Sequence, residues 1–138
     1  MSEIVTSEVL SDPHIHRLVD LRIGLLRLHK ALLDMERINF EERFGRVNSG
    51  ELLQLVINDA QFGWLRKISA LVVEIDEILD DDEPATLSDF KDLISQARLL
   101  LTSPGSEEFK TKYQSALQRE PAVVMAHANL MQVLRENQ

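Results

Sequence analysis

Three features of this amino-acid sequence predict an all-α fold. Apolar residues recur at alternating spacings of three and four over long stretches. Only 5 Gly and 4 Pro punctuate 138 residues, too few for a sheet protein with many turns. No segment alternates polar with apolar as a half-buried strand would. The architecture this predicts is an antiparallel up-and-down helical bundle of four main helices plus short extra helices. The length suits one domain, read as residues 1–138 with 1–11 as a short N-terminal segment, in part disordered.

The first helix starts at Asp12-Pro13, where Asp12 suits the N-cap and Pro13 the first turn. Leu18, Leu21, Leu25, Leu28, Leu32 and Met35 then form a heptad-like seam, and the helix runs to Phe44 and stops at Gly45. Such a helix is about 50 Å long. Ser49-Gly50-Glu51 opens a second stretch carrying Leu52, Leu53, Val56 and Ile57. The seam Leu65, Ile68, Val72, Ile75, Leu79 is out of phase with it and, extended backwards, would bury Gln61, Asn58 and Gln54. A break near Asn58–Asp59 resolves the conflict, with one of the two capping a new helix and Gln61 reaching back.

That helix ends in Asp80-Asp81-Asp82-Glu83-Pro84, acids that oppose its dipole but favour the helix that follows. Thr86 and Asp89 form a capping-box-like pair ahead of the seam Leu87, Phe90, Ile94, Ala97, Leu101. After a turn at Thr102-Ser103-Pro104-Gly105, Ser106 caps a shorter helix with Phe109, Tyr113, Ala116 and Leu117. Pro121 begins the last, which carries Val123, Val124, Leu130, Met131 and Leu134.

Composition excludes several classes of function. Without cysteine there are no disulfides, thiolate zinc sites, iron–sulfur clusters or thiol nucleophiles. The N-terminus has neither the basic start nor the apolar run of a secretory signal, and no apolar run approaches the ~20 residues of a membrane span. The expected location is the cytoplasm, without membrane contact. The net charge of −8 resides entirely between Glu74 and Asp92, where nine acids meet one base, Lys91. No basic surplus remains to neutralise a phosphate backbone, so no nucleic-acid partner is expected.

Candidate functional residues emerge where polar side chains fall inside apolar faces. On the first helix the apolar or small arc spans about 220°, against the ~100° or more of an ordinary surface helix. Val19, Leu26 and Leu33 bound it on one flank, and Gly24, Ala31 and Ile38 on the other. Within it runs a row at spacing seven, Ile15, Arg22, His29, Glu36, whose polar members need partners. His127 points inward on the last helix and is the natural facing residue. His29, Glu36 and His127 are the candidate ligands for a divalent metal, since imidazole and carboxylate suit one; the competing reading is a hydrogen-bonded network of Arg22, His29, Glu36 and His127.

Other features carry blander readings. His14 and His16 read as solvated surface histidines, and Asp80 to Glu83 lacks the alternating ligands and central Gly of a calcium loop. Trp64 caps the core at the kink. No nucleophile elbow, phosphate-cradling Gly loop or HExxH occurs, and Ser69 and Ser95 have no local base, so nothing points to catalysis.

The segments Ser49-Gly50-Glu51-Leu52-Leu53-Gln54-Leu55-Val56-Ile57, Phe62, Trp64-Leu65-Arg66, Ile75-Asp76, Tyr113-Gln114-Ser115-Ala116-Leu117-Gln118-Arg119 and Ala126-His127-Ala128 resemble a bacterial family of small uncharacterised all-helical proteins. The resemblance covers most of the chain and implies a helical domain with no functional residue to carry over. A looser likeness is to metal-binding four-helix bundles of the DinB type, from which this chain departs in lacking a regular three-histidine set.

Two functions are expected from the sequence. The first is a non-enzymatic helical protein-interaction domain without cofactor that self-associates as a homodimer. Its contact is expected along Gly24, Ala31 and Ile38, where small residues let another backbone approach. The second is a metal- or small-ligand-binding bundle centred on His29, Glu36 and His127, a class that includes enzymes.

Overall fold

The computed structural model describes residues 11–135, so the expected N-terminal segment lies, but for Ser11, outside the described residues. Those residues form seven helices and no strand. They are α1 (Asp12–Phe44), α2 (Ser49–Asn58), α3 (Ala60–Gly63), α4 (Arg66–Asp80), α5 (Leu87–Thr102), α6 (Glu107–Arg119) and α7 (Pro121–Arg135). None is long and apolar enough to cross a membrane.

Helix boundaries follow local chemistry. The N-cap position of α1 falls to Ser11 instead of Asp12, with Pro13 in the first turn. The Ser11 hydroxyl is committed to His14 Nδ1 at 2.6 Å and caps nothing. At the other end Gly45 takes φ 90°, a left-handed conformation costly for a side-chain-bearing residue, and its N–H donates to Glu41 O. Asn48 and Glu51 form a reciprocal capping box for α2, and Thr86 and Asp89 form another for α5. The predicted break is present: α2 ends at Asn58, and the Asp59 carboxylate accepts from Gln61 N at 2.8 Å.

Packing centres on α1. Leu18, Leu21, Leu25, Leu28 and Leu32 are all 0% exposed. They sit in one core with Ile68 and Ile75 of α4, Phe90 and Ala97 of α5, Phe109 of α6 and Val123 and Leu130 of α7. Arg22 pairs with Asp76 while Glu36 meets Trp64, so α1 and α4 run in opposite directions. Gly24 meets Leu130 while Ala31 shares a groove with Ala122 and Ala126, so α7 also opposes α1. The leucine seam and Gly24 of that arc are covered within the chain by α4 and α7, while Val19, Leu26 and Ile38 on its flanks stay exposed.

This corrects the expected contact surface. A Cβ on Gly24 would lie 2.7 Å from Leu130 Cδ2, so the backbone that approaches this glycine is α7 of the same chain. Ala31 is half-buried against the core, and of the three only Ile38, 56% exposed, stays open. By contrast α2 contains no buried residue, although Leu52, Leu53, Leu55, Val56 and Ile57 make half of its ten positions large and aliphatic.

Candidate functional site

Glu36 is the one buried charged residue among those described, at 6% exposure. It stands near the C-terminal end of the leucine seam, where α1 passes the joint between α3 and α4. Trp64, in the turn of that joint, donates its indole N–H to Glu36 Oε2 at 2.7 Å. Gln61 Nε2 lies 3.1 Å from Glu36 O and 3.3 Å from Oε1, and Asn39 Nδ2 donates to the same Oε1 at 3.3 Å. Three neutral N–H groups therefore solvate the carboxylate, and no Lys, Arg or His among the described residues pairs with it. This is how a buried anion is held when water is removed: its lone pairs are filled by donors.

The joint makes this arrangement possible. Asp59 starts the short α3, and the chain continues through Trp64 and Leu65 in helical dihedrals into α4. Gln61 and Trp64, three residues apart, consequently share the side that faces α1. Trp64 is 2% exposed and also packs edge-on against Phe109, with ring centroids 5.4 Å apart. Gln61 does not reach back to the local cap as expected, because Glu36 across the interface is the stronger acceptor.

A groove of about 510 Å³ opens beside Glu36. Its α1 wall offers Met35, Glu36, Asn39, Glu42 and Arg43, and its α6 wall offers Thr111, Lys112, Ser115 and Arg119. Arg119 reaches Met35 Sδ at 4.0 Å, and Arg43 lies over the Phe44 ring.

The other candidate residues go elsewhere. Arg22 Nε binds Asp76 Oδ1 at 2.5 Å in a half-exposed pair. His127 Nδ1 meets the Tyr113 hydroxyl at 2.6 Å, across the α6–α7 hairpin and not across the α1–α7 interface. Burial pushes the Tyr113 phenol up and lowers the His127 imidazole, so the neutral pair is the favoured form. His29 is half-buried, has its pKa lowered by the same cause, and its ring makes no hydrogen bond to another described residue. His14 is no free surface histidine either: it lies edge-on to Phe90, with centroids 4.9 Å apart.

His29, Glu36 and His127 are therefore not brought together. No group of three His, Asp or Glu residues among those described could hold a metal ion. The reason is angular. Spacing seven aligns Arg22, His29 and Glu36 on one side of α1, towards α4, while His127 turns towards α6. Asn39, Trp64 and Tyr113 are partners that the polar-row argument missed. A signal existed for Gln61, since the phase conflict placed this amide on the core side. None existed for Tyr113, whose hydroxyl is invisible to apolar periodicity. Compared with family models, curated proteins and solved structures, the chain matches none.

Proposed function

We propose that the protein is a helical protein-interaction domain of the cytoplasm that self-associates as a homodimer through α2. In this reading α1, α4, α5 and α7 are the main helices of an antiparallel up-and-down bundle, and α2 is its docking surface. The observation that supports it is an amphipathic helix with no fully buried residue, on which Leu52, Leu55 and Val56 are only partly covered and Leu53 and Ile57 are exposed. Leu53 is 57% exposed, Ile57 52%, and Phe44, just before α2, 66%. Covering such side chains stabilises a complex by roughly 25 cal/mol for each Å² removed from water.

Charge favours a second copy as the occupant. Residues 52–58, Leu-Leu-Gln-Leu-Val-Ile-Asn, carry no charge at all. A two-fold contact sets a surface against itself, which a charged strip resists and an uncharged apolar one accepts. The Ile57 carbonyl accepts from Arg66 at the start of α4, whereas Asp80 ends that helix, about 20 Å further on. Glu74, where the acidic stretch begins, already lies about 12 Å along α4 from Arg66, so a contact at α2 leaves that stretch more than the ~8 Å Debye length away.

Sedimentation equilibrium at micromolar concentration tests the proposal. The expected result is a dimer mass for the native chain and a monomer mass for Leu53→Glu, with unchanged helicity. A native monomer overturns self-association, and a dimer untouched by Leu53→Glu overturns α2 as its surface.

A further inference from the structure

We propose that the groove between α1 and α6 binds a small zwitterion of the α-amino-acid type, its ammonium at Glu36 and its carboxylate at Arg119. Two facing helices normally interdigitate apolar side chains. Here they present polar ones across open space. Thr111, Ser115 and Arg119 recur every fourth residue, and so line one side of α6, with Lys112 beside them. Met35 and Trp64 supply the apolar surface. The volume of about 510 Å³ lies within the range of small-molecule sites.

The groove carries both signs of charge, Glu36, Glu42 and Arg43 on the α1 wall and Lys112 and Arg119 on the α6 wall, with Lys112 already paired to Glu108. Glu36 is held ready by Trp64, Gln61 and Asn39, all neutral donors, so its negative charge has no ion-pair partner among the described residues. Its oxygens accept three hydrogen bonds in total, two of them at 3.3 Å, and a carboxylate has about four lone-pair positions. Arg119 brings a guanidinium to Met35, the residue next to Glu36, and forms no salt bridge with a described carboxylate. Opposite charges lining one groove match the ammonium and carboxylate that an α-amino acid carries on one carbon. A guanidinium also grips a carboxylate through two parallel N–H donors. The Thr111 and Ser115 hydroxyls are on the same wall for the remaining oxygen lone pairs.

Trp64 is the only tryptophan in the chain, and its indole N–H rests on Glu36. Its NMR resonance and fluorescence therefore report on this site alone. The probes are L-norleucine, L-glutamine and L-arginine, with hexylamine and hexanoate as single-charge controls. The expected result is a saturable shift of the Trp64 indole resonance by at least one amino acid, with either control about tenfold weaker or worse. Glu36→Gln and Arg119→Ala should each weaken that binding by about tenfold. Arg119 is exposed and outside the core, so its variant keeps the test valid if Glu36→Gln impairs folding. No saturable shift with any amino acid overturns the proposal. So does hexanoate or hexylamine binding as tightly as the amino acid, or binding that survives Arg119→Ala unchanged. Loss of dimerisation in Leu53→Glu leaves this result unaffected, so the two readings fail separately.

Discussion

Two amphipathic helices of this molecule, α1 and α2, have similar apolar lettering and opposite fates. Along α1 every leucine of the seam is at 0% exposure, enclosed by α4 and α7. Along α2 none of five large aliphatic residues is buried, and the helix packs mainly on the short α3 that follows it. Periodicity specifies that a helix has an apolar face, and tertiary structure decides what covers that face. A 33-residue helix spans the bundle and can be flanked along its length, whereas α2 sits past the turn at Gly45, beyond the end of the leucine seam.

Truncating one leucine on each helix should give the largest difference between them. Leu28→Ala should destabilise the fold by about 2–5 kcal/mol, because it removes fully buried methyl groups and leaves a cavity. Leu53→Ala should change monomer stability by less than about 0.5 kcal/mol. Urea unfolding of both variants, at a concentration where the protein is monomeric, measures the difference; equal losses would end the contrast.

Trp64→Phe keeps a ring in the core but deletes the shortest hydrogen bond to a buried carboxylate. A loss of about 1–3 kcal/mol is expected, and chemical denaturation checks it. The companion Trp64→Phe/Glu36→Leu chain should recover part of the loss, since removing both partners leaves no unsatisfied charge.

Gly24→Leu probes the close approach of α7 to α1. The added side chain has no room against Leu130, so a cost of about 1–3 kcal/mol is expected in thermal or urea unfolding. The dimer dissociation constant, measured where both chains are folded, should not change. A weakened dimer with intact stability would restore Gly24 to the contact surface.

The smallest effect concerns pH. Burial lowers the folded-state pKa of His29 and His127, so the unfolded chain binds more protons than the folded one once pH falls below the ordinary histidine value of about 6.5. Their contribution to stability is complete above that value and is lost as pH falls towards the lowered folded pKa. Unfolding free energy should therefore decline between about pH 7 and 5. His127→Gln should show a shallower decline over the same window, measured by urea titration at each pH; an unaltered slope would remove His127 from the account.

The helices, most of their ends and the main core are encoded locally. Leucines at three-four spacing, the Thr86–Asp89 box, Gly45 and the phase break at Asp59 act through neighbours within a few residues, which is why they are legible in one dimension. Glu36 was marked as a polar residue inside an apolar arc. Its partners Gln61 and Trp64 lie 25 and 28 positions away and meet it only because α1 and α4 run in opposite directions. His127 found Tyr113 instead of His29, since a rotation of one helix about its axis moves a side chain from one neighbour to the next without altering its apolar period. Gly24 was legible as a site of close approach, but the same small residue suits a helix of the same chain and one of another. Local spacing encodes which side of a helix is buried. The partner across that side depends on helix order and rotation, which only the packed chain decides.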